Sequence, residues 1–390
     1  MASLHDHLRA LSVEIGPRPS ASPGEEAAAE YVRRELRGQG LECHRRRFQA
    51  ASPAEAGLVI YALVALAALL YPRSPAAGFL LSLSAAFIYV LESSTYRLVS
   101  RLLPGRRSVN VLAKIHARSK EQRRVLVLAH LDSPCSRTGF LPQGQGHWAV
   151  LTAMLGSALI YGAGLAAAAN MRAILWYVSV PFALGIPPAA LLWFQSRKRK
   201  GHDRTAPLTS AGDGVPAPGG NDNAAGVAVL LETAKVLGRA PLLTTSVWCV
   251  ATGAGEAGHR GALDLIREHR FAPDKTLVIN VDAPGAGRLA VLAREGVFLP
   301  LGASPILLEA AAATAKEKAI DLELFPRLLR STDATAFLAR RIPAVTITAL
   351  DARRLPLAGR GEAGSAERVD PANLVRTKDL VLGILRKLEE

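Results

Sequence analysis

Two kinds of hydrophobic pattern alternate along the chain. In residues 1–50, 108–140 and 201–390, short apolar runs of strand length are followed by amphipathic runs at helix spacing. Between them, at 57–91 and 148–194, lie long apolar runs almost free of charge. The first pattern predicts an α/β domain interrupted by two apolar hairpins.

Within the first pattern, Ser22-Pro23-Gly24-Glu25-Glu26 reads as a helix start with acidic residues in its first turn. Ala27, Ala28, Ala29, Tyr31, Val32 and Leu36 continue it on one face, and Gly38-Gln39-Gly40 stops it. Leu41 to Phe48 alternates like a strand with a basic outer face. Further strands are expected at Val109–Ile115, Val125–Leu128, Ser246–Ala251, Thr276–Asp282, Ala290–Ala293 and Ala344–Thr348. Helices are expected at Ala224–Leu237, Gly261–Glu268, Ser304–Lys318, Asp333–Arg340 and Pro371–Leu388. Continuous apolar strands followed by helices imply a mixed, mainly parallel sheet covered on both faces, with ligands beyond the carboxyl ends of its strands.

The first apolar hairpin, 57–91, has arms of about 15 residues joined at Pro72-Arg73-Ser74-Pro75, at the lower edge of what crosses a bilayer, so a re-entrant or tilted arrangement stays open beside a full span. The second, 148–194, has arms of about 22 residues without a charge, joined at Asn170-Met171-Arg172. Trp148, Tyr161, Trp176, Tyr177 and Trp193 supply aromatics, several suited to membrane interfaces, and Pro181, Pro187 and Pro188 predict a kink in the last arm. Four inserted transmembrane helices follow as the expectation. Each turn carries one Arg, whereas the flanks carry Arg97, Arg101, Arg106, Arg107 and Arg197-Lys198-Arg199-Lys200. By the positive-inside rule the turns face outward and the α/β domain is cytoplasmic, in an integral membrane protein of the cell.

Composition agrees with that picture. Hydrophobic residues make up 49% and the net charge is +14. The basic residues sit beside the apolar runs and form no strip interleaved with aromatics, so the partner they indicate is a lipid bilayer and not a nucleic acid. Three cysteines, Cys43, Cys135 and Cys249, show no CxxC spacing, which excludes a disulfide framework and a zinc knuckle. Residues 1–24 contain no apolar core of the signal-peptide type.

Chemistry concentrates at the expected strand ends. His130-Leu131-Asp132 leaves the strand Val125–Leu128, so an imidazole that can ligate zinc lies two residues from a carboxylate. Pro218-Gly219-Gly220-Asn221-Asp222-Asn223-Ala224-Ala225-Gly226 places Asp222 at the mouth of a helix, as a ligand or as an N-cap. Glu256 follows the strand Ser246–Ala251 within Gly253-Ala254-Gly255-Glu256-Ala257-Gly258-His259-Arg260-Gly261, and Asp282 ends the strand Thr276–Val281. His259 reads as a helix-start residue and His202-Asp203 as a solvated linker. No glycine-rich phosphate loop appears in a strand-to-helix context, which excludes nucleotide chemistry of that kind.

The order His130-x-Asp132, Gly-x-Asp222-Asn223-x-x-Gly226, Glu256-x-Gly258-x-x-Gly261, Asn280-x-Asp282 resembles metallopeptidase family 28, the co-catalytic zinc aminopeptidases. Gly16-Pro17-Arg18-Pro19, Asp333 to Phe337 with Ile342-Pro343-Ala344, and Arg368-Val369-Asp370-Pro371-Ala372-Asn373-Leu374 are similar to its supporting stretches. The resemblance implies a zinc-exopeptidase fold. It implies that His130, Asp222 and Asp282 hold one zinc, that Asp222 and Glu256 serve a second, and that Asp132 supports the His ligand. It also implies hydrolysis of peptide or small-amide N-termini by metal-activated water.

The sequence departs from that pattern at three points. Gly255 stands where the family has its general base, Arg360 where it has the last His ligand, and Ala334 where a His follows the late Asp. Two readings follow. In the first, one zinc remains on His130, Asp222 and Asp282, the second position is incomplete, Glu256 acts as base, and Arg360 stabilises it or binds a substrate carboxylate; Glu362 is a weaker candidate for an oxygen ligand. In the second, the fold is a silent binding or scaffolding protein.

Overall fold

The computed structural model describes residues 2–51, 53–134, 145–166, 169–184, 217–356 and 365–390. Its main sheet has eight strands: β1 (Cys43–Ala50), β2 (Arg106–Ile115), β3 (Arg123–His130), β4 (Thr245–Thr252), β5 (Thr276–Val281), β6 (Arg288–Leu292), β9 (Glu323–Phe325) and β10 (Ala344–Leu350). Two short strands, β7 (Arg294–Glu295) and β8 (Leu301–Gly302), pair separately. The order across the sheet is β1-β2-β4-β3-β5-β10-β6-β9. The central ladders β4-β3-β5-β10 are parallel, and β1-β2, β2-β4 and β10-β6 are antiparallel.

Because side chains alternate along a strand, the continuous apolar run of β3 feeds two cores. Val125, Val127 and Ala129 enter one, with residues of helices α2 (Pro23–Gly38), α7 (Gly226–Arg239), α9 (Pro305–Glu317) and α11 (Pro371–Lys387). Leu126 and Leu128 enter the other, with Ala262 and Leu265 of α8 (Arg260–His269) and Ala336 and Phe337 of α10 (Asp333–Leu338). A short helix α1 (Leu4–Arg9) adds Leu8 to the first core. The expected elements of the α/β part are all present, so this is a mixed α/β fold with a largely parallel centre.

The apolar runs form helices α3 (Pro53–Leu70), α4 (Pro75–Ser93), α5 (Gln145–Ala166) and α6 (Ala169–Leu184). The arms of the first hairpin are longer than the hydropathy pattern suggested, at 18 and 19 residues, because Glu55 at one end and Glu92-Ser93 at the other are also helical. The expected turn Asn170-Met171-Arg172 is helical as well, since none of the three residues breaks a first turn. Residues 185–194, with Pro187, Pro188 and Trp193, lie outside the described residues.

These helices share a core of Ile60, Val64, Ala85, Ala86, Leu151 and Met154. Tyr71 stacks on Tyr161 at 4.5 Å between centroids, and Trp176 Nε1 donates to the Ala68 carbonyl at 2.9 Å. Leu69, Leu80, Phe87, Leu159, Ile174 and Tyr177 point outward and are exposed. Among the described residues one helix, Pro75–Ser93, is long and apolar enough to cross a membrane, while Glu55–Leu70 and Val150–Ala163 are shorter apolar stretches.

The apolar helices are fastened to the α/β part by a polar joint. Glu92, at the end of α4, accepts from the Val99 and Ser100 amides at 2.9 and 3.3 Å and lies 3.9 Å from Arg260 Nη2. The buried Arg97 guanidinium lies against Gly258, whose φ of 95° is left-handed and where a Cβ would overlap it. Arg97 was expected to act as a topology charge, but its head group is built into this joint. Phe298 meets Tyr89 edge-on at 6.0 Å beside it.

Candidate metal centre

Parallel pairing brings the carboxyl ends of β3, β4 and β5 to one rim. His130, the last residue of β3, pairs with Thr252 at the end of β4, and Asp282 follows directly after β5. The Gly220–Ala225 turn delivers Asp222 to the same rim just ahead of α7. The Asp222-Asn223 peptide is cis.

The helix cap falls to Asn223 and not to Asp222. Asn223 Oδ1 accepts from the Gly226 and Ala283 amides, both at 3.1 Å, and its Nδ2 donates to the Val281 carbonyl at 2.8 Å. Asn221 Oδ1 accepts from the Gly285 amide at 2.6 Å. The two asparagines therefore lock the turn onto the exit of β5, and the fully buried carboxylate between them is left for another task.

Asp222 Oδ1 lies 3.1 Å and Asp282 Oδ1 3.7 Å from His130 Nε2. Both carboxylate oxygens are buried and lack a hydrogen-bond partner. A buried carboxylate oxygen without a donor is costly, so these atoms fit a cation better than an empty core. One imidazole nitrogen and two carboxylate oxygens are also a zinc donor set. Glu256 is half-buried, and His130, Asp222 and Glu256 offer ligand atoms all within 4.8 Å of one another. The structure thus gathers His130, Asp222, Asp282 and Glu256 as the sequence indicated.

Asp132 orients the centre in two ways. Its backbone carbonyl is 2.9 Å from His130 Nδ1, which leaves Nε2 free toward the carboxylates. Its side chain accepts from the Gly255 and Glu256 amides at 2.8 and 2.9 Å, holding the loop that carries Glu256. A Cβ on Gly255 would lie 2.7 Å from His130 Cβ, so the present backbone has no room for a side chain at the position where the resemblance puts the family's general base.

The charges interact strongly. Burial disfavours a charged His130, yet the surrounding carboxylates of Asp132, Asp222 and Asp282 outweigh it and hold its pKa well above the ordinary value. Burial alone would raise Asp132 and Asp282, but His130 keeps both below the usual range. Burial, aided by the Asp222 charge, pushes Glu256 up to about 7.

Two arginines escaped sequence reasoning in their roles. Arg18 is fully buried; its guanidinium donates to the carbonyls of Leu11, Gly16, Leu131, Pro218 and Gly219, tying the N-terminal segment to the His130 exit and the Asp222 turn. Arg330 Nη2 lies 3.1 Å from Glu256 Oε1 and 3.4 Å from Asp222 Oδ2. Among the described residues Arg330 is thus a partner of Glu256; Arg360, the expected one, and Glu362 lie outside the described residues, as do Cys135 and His202-Asp203. Arg330 sits in a stretch with Arg327 and no neighbouring signal, so only the fold could single it out. His259 stands at the start of α8 with Nδ1 3.0 Å from Asp333 Oδ1, and Ala334 follows that Asp.

Residues 198–382 match the family model for Peptidase family M28. Comparison with curated proteins returns no matching relative. Among solved structures, the chain is similar to the zinc aminopeptidase BSAP from Bacillus subtilis, with a TM-score of 0.56, 15% identity and coverage of 99% of this chain and 94% of that one. The aminopeptidase of Aneurinibacillus sp. strain AM-1 gives 0.56 at 14% identity, covering 98% and 92%. Glutaminyl cyclase from Porphyromonas gingivalis gives 0.54 at 13% identity, covering 99% and 97%. At these identities the structural likeness speaks for the fold. His130 and Asp132 precede the matched segment and are joined to it by the β3-β4-β5 rim. Over residues 198–382, which carry Asp222, Glu256 and Asp282, the chain is thus similar to Peptidase family M28.

Proposed function

We propose that the protein is a membrane-anchored, zinc-dependent hydrolase of aminopeptidase type, acting on the N-termini of peptides or small amides. The observation that carries this reading is the pair of buried, unpartnered oxygens Asp222 Oδ1 and Asp282 Oδ1 facing His130 Nε2. His130, Asp222 and Asp282 would hold the ion, which supplies Lewis acidity when bound. Asp132 fixes the His130 ring and the Glu256 loop. Glu256, at the half-buried mouth, is placed to take a proton from the attacking water and return it to the leaving amine. Arg360 is assigned to a substrate carboxylate, for which a guanidinium fork is suited.

The apolar helices α3 to α6 are assigned as four membrane spans. Their outward Leu69, Leu80, Phe87, Leu159 and Ile174 support this, since such a surface suits lipid better than water. The α/β domain is assigned to the cytoplasmic side by the distribution of Arg and Lys.

A silent binding or scaffolding protein is the second reading, favoured by the lack of space at Gly255. Metal analysis and hydrolysis of aminoacyl arylamides by the full chain in detergent separate the two. The enzyme reading expects bound zinc that is lost in Asp222→Ala together with hydrolysis. A chain with neither zinc nor hydrolysis refutes it.

A further inference from the structure

We propose that the Arg330 guanidinium stands in the place of a second cation, so that the centre takes a single zinc. The inference rests on the zinc reading above and adds the residue that holds the count at one.

The two oxygens of Asp222 are divided between two positive partners. Oδ1 faces the His130 and Asp282 side, whereas Oδ2 faces Arg330 at 3.4 Å. The same nitrogen of Arg330 lies 3.1 Å from Glu256 Oε1, so one Nη2 bridges Asp222 and Glu256. Those are the two carboxylates that would otherwise share a second ion.

Arg330 is well placed to keep that position. Its side chain is 16% exposed, and its carbonyl accepts from the Gly296 amide at 3.0 Å. Thr332, two residues on, caps α10 and bonds Glu295. The guanidinium is therefore carried on a fixed stretch of backbone. It cannot lose its proton to make room for a metal, and its charge repels one.

Charge balance points the same way. Asp222, Asp282 and Glu256 contribute three negative charges, while the charge of Asp132 is offset by the buried Arg18 guanidinium nearby. One divalent ion and one guanidinium balance those three. Two divalent ions beside the same guanidinium would leave a buried excess of positive charge.

The test is zinc stoichiometry on the metal-stripped full chain in detergent, by equilibrium dialysis with elemental analysis. The wild type and Arg330→Lys are expected to bind one zinc per chain. Arg330→His and Arg330→Asp remove the charge and add a ligand, and are expected to bind two; circular dichroism identifies which of them fold. Two zinc ions on the wild type overturn this inference and leave the zinc reading standing. One zinc on every folded variant overturns it as well, because the guanidinium would not be what limits the count. No zinc on the wild type overturns the zinc reading and this inference with it.

Discussion

At the scale of single residues, Gly255 and His130 are packed so closely that they behave as one unit. Gly255→Ala must move the imidazole, and its zinc affinity is expected to fall by about 10–100-fold, the usual effect of disturbing a ligand's support; unchanged affinity in a zinc titration would refute the crowding. Arg18 binds five carbonyls from segments far apart in sequence. Arg18→Ala leaves buried acceptors unpaired, a loss of about 3–5 kcal/mol or more in stability, to be read by denaturant titration.

Glu295 provides a pH test away from the metal ligands. It is buried among the hydroxyls of Thr332, Thr335 and Thr346, and burial lifts its pKa to about 7. Between its ordinary value of 4.5 and about 7, the folded chain keeps a proton that the unfolded chain has released. Stability from this group therefore falls as pH rises through that window and is level above it. Glu295→Gln removes the slope, up to about 3 kcal/mol in all. Thermal melts at about pH 5 and about pH 8 should show the variant gaining on the wild type at the higher pH.

At the scale of elements, much of the site was legible because strands end where their apolar runs end. The runs in β3, β4 and β5 placed His130, Glu256 and Asp282 at one rim before any contact was known. Leu126 and Leu128 alternate with Val125 and Val127, so Leu128→Ala opens a cavity on the α8-α10 face and should cost about 2–5 kcal/mol. What stayed hidden depends on contacts between distant segments. Arg330 reaches Glu256 across 74 positions, and Arg18 reaches Gly219 across 201. The division of labour between Asp222 and Asn223 was hidden for another reason: both residue types cap helices, and only the orientation of the turn decides.

At the scale of the whole molecule, the two hydrophobic patterns became two structural units joined at Glu92, Arg97, Gly258 and Arg260. The helix ends were harder to read, since polar residues such as Glu55 and Glu92 extend helices whose hydropathy stops earlier. If the apolar unit crosses a bilayer as proposed, a maleimide that cannot cross membranes should label Arg73→Cys in intact cells and spare Lys120→Cys, on a Cys135→Ser background. The opposite pattern would reverse the assigned orientation.

The joint also bears on how the protein can be divided. Gly258, which receives the Arg97 guanidinium, is two residues beyond Glu256, and Arg260 opens the helix that follows this loop. Excising residues 53–105 to obtain a water-soluble hydrolase would take away Glu92, which faces Arg260, Arg97, which lies against Gly258, and Tyr89, which meets Phe298. The apolar hairpin is thus one wall of the loop that presents Glu256, as well as an anchor, and a chain trimmed of it is expected to lose order at the centre along with its affinity for lipid.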